Sequence, residues 1–120
     1  MALLLAACAA VSSPPAPSAV LVTVASSLGS FDEQVGQAAF AGRISATKAT
    51  ALLDESARIR AQMNDARALL RSCVPDKPCE AFDTSLRAIN DRLLEAQCRR
   101  RQAEAKLPED VCKLPVRTAS

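Results

Sequence analysis

The residues of this chain best suited to covalent chemistry are five cysteines, Cys8, Cys73, Cys79, Cys98 and Cys112. A thiol can serve as nucleophile, redox partner, metal ligand or half of a disulfide, and spacing chooses among these roles. The C-x-x-C spacing that tunes a thiol pKa is missing, which argues against a redox pair. Five, eighteen and thirteen residues separate Cys73, Cys79, Cys98 and Cys112 in turn. A zinc site built on close ligand pairs is therefore disfavoured. The chain has no histidine, so no serine or cysteine has the commonest general base beside it. Setting Cys8 aside leaves an even number of cysteines, which in an exported chain reads as two structural disulfides.

Other chemistry is weaker. Asp54-Glu55 would be a paired acid/base site only in a pocket, and nothing in the sequence places it in one. Ser45-Ala46-Thr47-Lys48 matches the Ser-x-x-Lys nucleophile motif of serine β-lactamases. The partner motifs are absent and the chain is too small for that fold, so Ser45 reads as a helix N-cap. No glycine-rich phosphate loop occurs. These observations point away from an enzyme, and no cofactor or metal is expected.

Helices must position the cysteines. No Gly or Pro occurs from Arg43 to Val74 or from Cys79 to Leu107, and Val is absent from 36–73 and 75–110. Long runs without breakers or β-branched Val read as helices. Apolar residues recur at alternating steps of three and four: Ala49, Leu52, Ile59, Met63, Ala66, Leu70 and Cys73, with Ser56 the one polar member. The set Cys79, Phe82, Leu86, Ile89, Leu93, Ala96 repeats the pattern, as does Leu21, Val24, Leu28, Phe31, Val35, Ala38. This is the seam of packed helices. Val20-Leu21-Val22-Thr23-Val24 also reads as a short strand. Gly42 is placed as a C-cap, and Ile44-Ser45 as a staple and N-cap. Pro75 and Pro78 force a turn over 74–78, and Pro108 ends the last helix.

Helices over 46–73 and 79–106 would be rods of roughly 42 Å. Joined by a short turn, they form an antiparallel hairpin, with residues 24–41 adding a shorter third helix. The expected fold is all-α, a small three-helix bundle. Cys98 lies roughly 28 Å along its helix from Cys79, beyond the ~7 Å that a disulfide allows between Cα atoms. Cys112 can return from the helix end near Lys106 by at most about 20 Å. That reaches Cys98 but not the turn. The expected bridges are Cys73–Cys79 and Cys98–Cys112.

No charged residue precedes Asp32. An apolar opening that ends in small residues is the pattern of an export signal. The segment Leu5-Ala6-Ala7-Cys8 resembles the lipobox of bacterial lipoproteins, and a Ser/Pro-rich stretch follows it as a tether would. The resemblance implies cleavage before Cys8 and lipidation of its sulfur. Ala9, rather than Asp, follows the cysteine, which implies the periplasmic face of the outer membrane in a Gram-negative host. No Lys or Arg precedes the apolar run, so the translation start is expected upstream. The domains read as 1–8 signal and lipobox remnant, 9–20 tether, 21–112 helical domain and 113–120 tail. Pro14, Pro15 and Pro17 interrupt the apolar run, so no transmembrane helix is expected.

Charge limits the partners. A net charge of +2 and three Phe argue against nucleic acid. Arg99-Arg100-Arg101 is the densest basic cluster and reads either as a patch for an anionic partner or as a helix C-terminus complementing its dipole. Asp54–Arg58, Asp83–Arg87 and Glu95–Arg99 are spaced as i,i+4 ion pairs. Ala supplies 24 residues, and such a chain makes slim helices rather than a thick core. The expected function is that of a lipid-anchored, non-enzymatic binding or structural accessory module of the cell envelope. Its partners would be the membrane and another envelope protein, met through helix packing. The alternative is a soluble periplasmic or secreted inhibitor or carrier.

Overall fold

The computed structural model describes residues 17–112. Cys8, the signal and lipobox remnant, residues 9–16 of the tether and the 113–120 tail lie outside the described residues. Three helices are present, α1 (Pro17–Phe40), α2 (Ala46–Ser72) and α3 (Glu80–Ala105), followed by a 3-10 turn over Glu109–Cys112. No strand occurs among the described residues, and Val20–Val24 is helical.

The first helix is longer than expected. It starts at Pro17, ahead of the expected domain start at 21, and its 24 residues nearly match the 27 of α2 and 26 of α3. Proline at the opening of a helix gives up only an N–H that has no intrahelical partner, so it starts α1 rather than breaking it. Gly29 and Gly36 are tolerated on the exposed side of α1.

The seams are the core. Leu28, Phe31, Val35, Ala38, Ile59, Ala66 and Ile89 are almost wholly buried, with Phe82, Met63 and Ala96 beside them. Leu86 departs from the pattern, being only partly buried at the edge of this cluster. Helix α2 packs against both neighbours, whereas α1 and α3 meet over a smaller area. Leu86 lies on that thinner contact, lining an open groove with Val20 and Val24.

The helix ends have local causes. Gly42 is left-handed (φ 75°). The Gly42 N–H donates to the Ala39 carbonyl at 3.1 Å and the Arg43 N–H to Ala38 at 2.9 Å. That is a Schellman motif, which satisfies carbonyls left over at the helix end. The Ser45 hydroxyl accepts from the Lys48 N–H at 3.1 Å, and Ile44 and Ala49 are both buried as a staple requires. The end of α3 repeats the Schellman bonding with Lys106 in the left-handed position (φ 56°) and Leu107 N–H donating to Gln102 at 3.0 Å.

Both cysteine pairs are at disulfide distance. Cα atoms are 5.6 Å apart for Cys73–Cys79 and 5.5 Å for Cys98–Cys112. These are the two pairings expected from rod length. Two such bridges belong to an oxidising, non-cytoplasmic compartment. Among the described residues no helix is long and apolar enough to cross a membrane.

Candidate functional site

Side chains that flank the α2 and α3 seams meet across a cleft of about 420 Å³. Its floor is Leu52 and Ala96, both buried, with Ala51 beside them. Its walls are charged: Glu55 and Arg58 from α2, and Arg92, Glu95 and Arg99 from α3. The arrangement follows from helix geometry. Arg92, Glu95 and Arg99 are spaced three and four apart and so share one side of α3, as Ala51, Glu55 and Arg58 share one side of α2. Ala51 and Ala96, with their short side chains, leave a hollow between the longer charged walls.

The charges are ordered. Glu55 Oε1 lies 3.2 Å from Arg92 Nε, across the helix pair, and Glu55 Oε2 lies 3.6 Å from Arg58 Nη1. Glu95 Oε1 accepts from Arg99 twice, from Nε at 3.2 Å and from Nη2 at 2.7 Å. Three guanidiniums against two carboxylates leave the walls with a net charge of +1. Beside the cleft a smaller hollow of about 110 Å³ shares Ala51, Leu52 and Arg99 and adds Lys48.

The arginine triplet does not form one patch. Successive helical residues point in different directions. Arg99 faces the cleft, paired with Glu95. Arg100 turns inward, its side chain 15% exposed and paired with Glu104, which also takes Arg43 Nε at 3.1 Å. Arg100 Nε is buried without a hydrogen bond. Arg101 is exposed. Of the expected i,i+4 pairs, Glu95–Arg99 forms, whereas Arg58 turns to Glu55 rather than Asp54. Asp83 and Arg87 form no ion pair with each other; both line the α1–α3 groove.

Ser56, the polar member of the α2 seam, is fully buried and accepts from Arg60 Nη1 at 2.8 Å. Arg60 in turn holds Asp32 of α1 at 2.7 Å. The chain Asp32–Arg60–Ser56 ties α1 to α2 through polar atoms. It satisfies a hydroxyl that would otherwise be costly to bury. The second Asp32 oxygen, Oδ1, is buried without a hydrogen bond.

Sequence reasoning did not place Glu55, Arg58 and Arg92 in a common cleft. Asp54 and Glu55 do not act as a pair: Glu55 lines the cleft, whereas Asp54 is exposed. The signal was present in the three-and-four spacing of charges flanking each seam, but joining the two flanks required knowing which sides of α2 and α3 face each other. Among the described residues no group of His, Cys, Asp or Glu is arranged to hold a metal ion. No family model, curated protein or solved structure matches the chain.

Proposed function

We propose that this chain is a small exported helical protein, anchored through a lipidated Cys8, that serves the cell envelope as a non-enzymatic binding or structural accessory module. The observation that carries the reading is the pair of cysteine bridges at 5.6 and 5.5 Å, which belong to an oxidising compartment, downstream of Leu5-Ala6-Ala7-Cys8 and its Ser/Pro-rich tether. Helices α2 and α3 act in this reading as an antiparallel hairpin. Support comes from the order of their cross-contacts: Arg43 with Glu104, Glu55 with Arg92 and Cys73 with Cys79, one number rising as the other falls. Another envelope protein would be met through side chains left outside the core, such as Leu53 and Leu94, which are 40% and 50% exposed. The lipid, not a spanning helix, would hold the module at the outer membrane.

The test is membrane fractionation of cells expressing the wild type and Cys8→Ala, with mass spectrometry of the N-terminal peptide. Release of the variant together with an acyl mass on the wild type is expected. A wild-type peptide without acyl mass and a variant that stays in the membrane fraction would refute the anchor. The alternative, a soluble periplasmic or secreted carrier, draws support from the charged cleft between α2 and α3. It predicts wild-type protein in the soluble fraction.

A further inference from the structure

The α2–α3 cleft already holds two oxyanions, and both are the protein's own. Glu95 Oε1 sits on two N–H groups of Arg99, and Glu55 sits between Arg92 and Arg58. An arginine fork that grips a carboxylate in this way has the geometry that grips a phosphate. Three guanidiniums carry many more N–H donors than the two glutamates use. Lys48, at the adjoining hollow beside Arg99, adds a fourth cation. Four cations against Glu55 and Glu95 leave a surplus of +2, the charge that a phosphate dianion neutralises. Arg92 and Arg99 are seven residues apart, about 10 Å along the helix, so the site has two ends. Arg58 and Arg92 share Glu55 at one, and Arg99 borders the Lys48 hollow at the other.

The occupant's size and polarity follow. A cleft of about 420 Å³ falls within the range of small-ligand pockets, roughly 300–1,000 Å³. Leu52 and Ala96 are already buried, so a docking helix would gain little apolar contact there. Charged walls over a small floor suit a compact anion. We propose that this cleft binds a small phosphate-bearing ligand, with Arg58 and Arg92 at one end, Arg99 and Lys48 at the other, and Glu55 and Glu95 as positioning residues that orient the guanidiniums and are displaced in part when the phosphate enters. The inference is independent of the membrane anchor, because none of these residues involves Cys8.

The test uses the full chain with Cys8→Ser, so that acylation plays no part, and with both disulfides intact. Isothermal titration with inorganic pyrophosphate is expected to give saturable one-site binding. Arg92→Gln and Arg99→Gln should each weaken it about tenfold, the scale of one charge-assisted hydrogen bond. Glu95→Gln should tighten binding, because it removes the carboxylate that competes for Arg99; a purely structural Glu95 would not produce a gain. Arg99→Lys keeps the charge and loses the fork, and should bind more weakly than the wild type. All variants are compared at equal helix content by circular dichroism. A parallel arm uses phosphatidylglycerol and phosphatidylcholine vesicles: binding to the former alone, lost in Arg92→Gln, identifies a lipid headgroup as the source, whereas pyrophosphate binding without vesicle binding identifies a soluble phosphate. No saturable binding in either arm overturns the proposal. So does binding that both folded Arg→Gln variants retain at wild-type strength.

Discussion

Replacing Cys98 and Cys112 together with serine opens a loop of sequence separation 14, whereas replacing Cys73 and Cys79 opens one of 6. Chain-entropy reasoning assigns the longer loop about 3 kcal/mol and the shorter about 2 kcal/mol, from the logarithm of loop length. The structure adds to the difference in the same direction. Cys112 is 3% exposed, packed under the end of α3, while Cys73 and Cys79 are only partly buried beside the turn. A domain of this size has a total stability of roughly 5–14 kcal/mol, so losing both bridges, about 5 kcal/mol, brings it to the margin. Helix content in the absence of urea should survive, because Phe31, Ile59 and Ile89 stay buried between the helices, with Cys73 and Cys79 packed only at the edge of that cluster. The assay is urea unfolding followed by far-UV circular dichroism, with the two double variants and the reduced wild type. At a urea dependence of about 1 kcal/mol per molar, the midpoint should fall by about 3 M for the Cys98/Cys112 pair and about 2 M for the other. Non-reducing tryptic mapping checks the connectivity. Residues 72–87 should leave as one peptide, because Pro78 blocks cleavage after Lys77, and it should carry an internal bridge between Cys73 and Cys79. Residues 93–99 and 107–113 should leave linked to each other. An unchanged midpoint on reduction, or a peptide joining Cys79 to Cys98, would refute the reasoning.

Three further outcomes are expected. Gly29→Ala and Gly36→Ala should each stabilise the domain by about 0.8–1 kcal/mol, seen as a rise in Tm, since an added Cβ meets nothing within 4 Å at either position and glycine is the poorer helix former by that amount. Ile89→Asp should abolish cooperative thermal unfolding, because Ile89 is 0% exposed and an unpaired carboxylate there is strongly disfavoured. Arg101→Glu, at an exposed position, should leave stability within about 0.5 kcal/mol of the wild type, read as a Tm close to the wild-type value.

The sequence by itself determined α2 and α3, the caps at Gly42 and Ser45 and the cysteine pairing, because each depends on local spacing or on rod length alone. Gly42 and Ser45 cap as their residue types require, and steps of three and four put Leu28, Phe31, Ile59 and Ile89 inside. A rigid rod carries Cys98 away from the turn whatever it packs against, so the pairing needed no tertiary information. Tertiary structure decided the rest. How far α1 wraps its neighbours is a property of three helices together, and it left Leu86 half-buried at a thin contact while Ile89, one turn away, is sealed. Periodicity reports which side of a helix is apolar, not how much of that side a neighbour covers. The arginine run looked continuous in the chain, yet it splits between a cleft, the Glu104–Arg43 contact and solvent. The cleft pairs Glu55 with Arg92, residues 37 apart in sequence, and a pairing of that kind is fixed only when two helix faces choose each other.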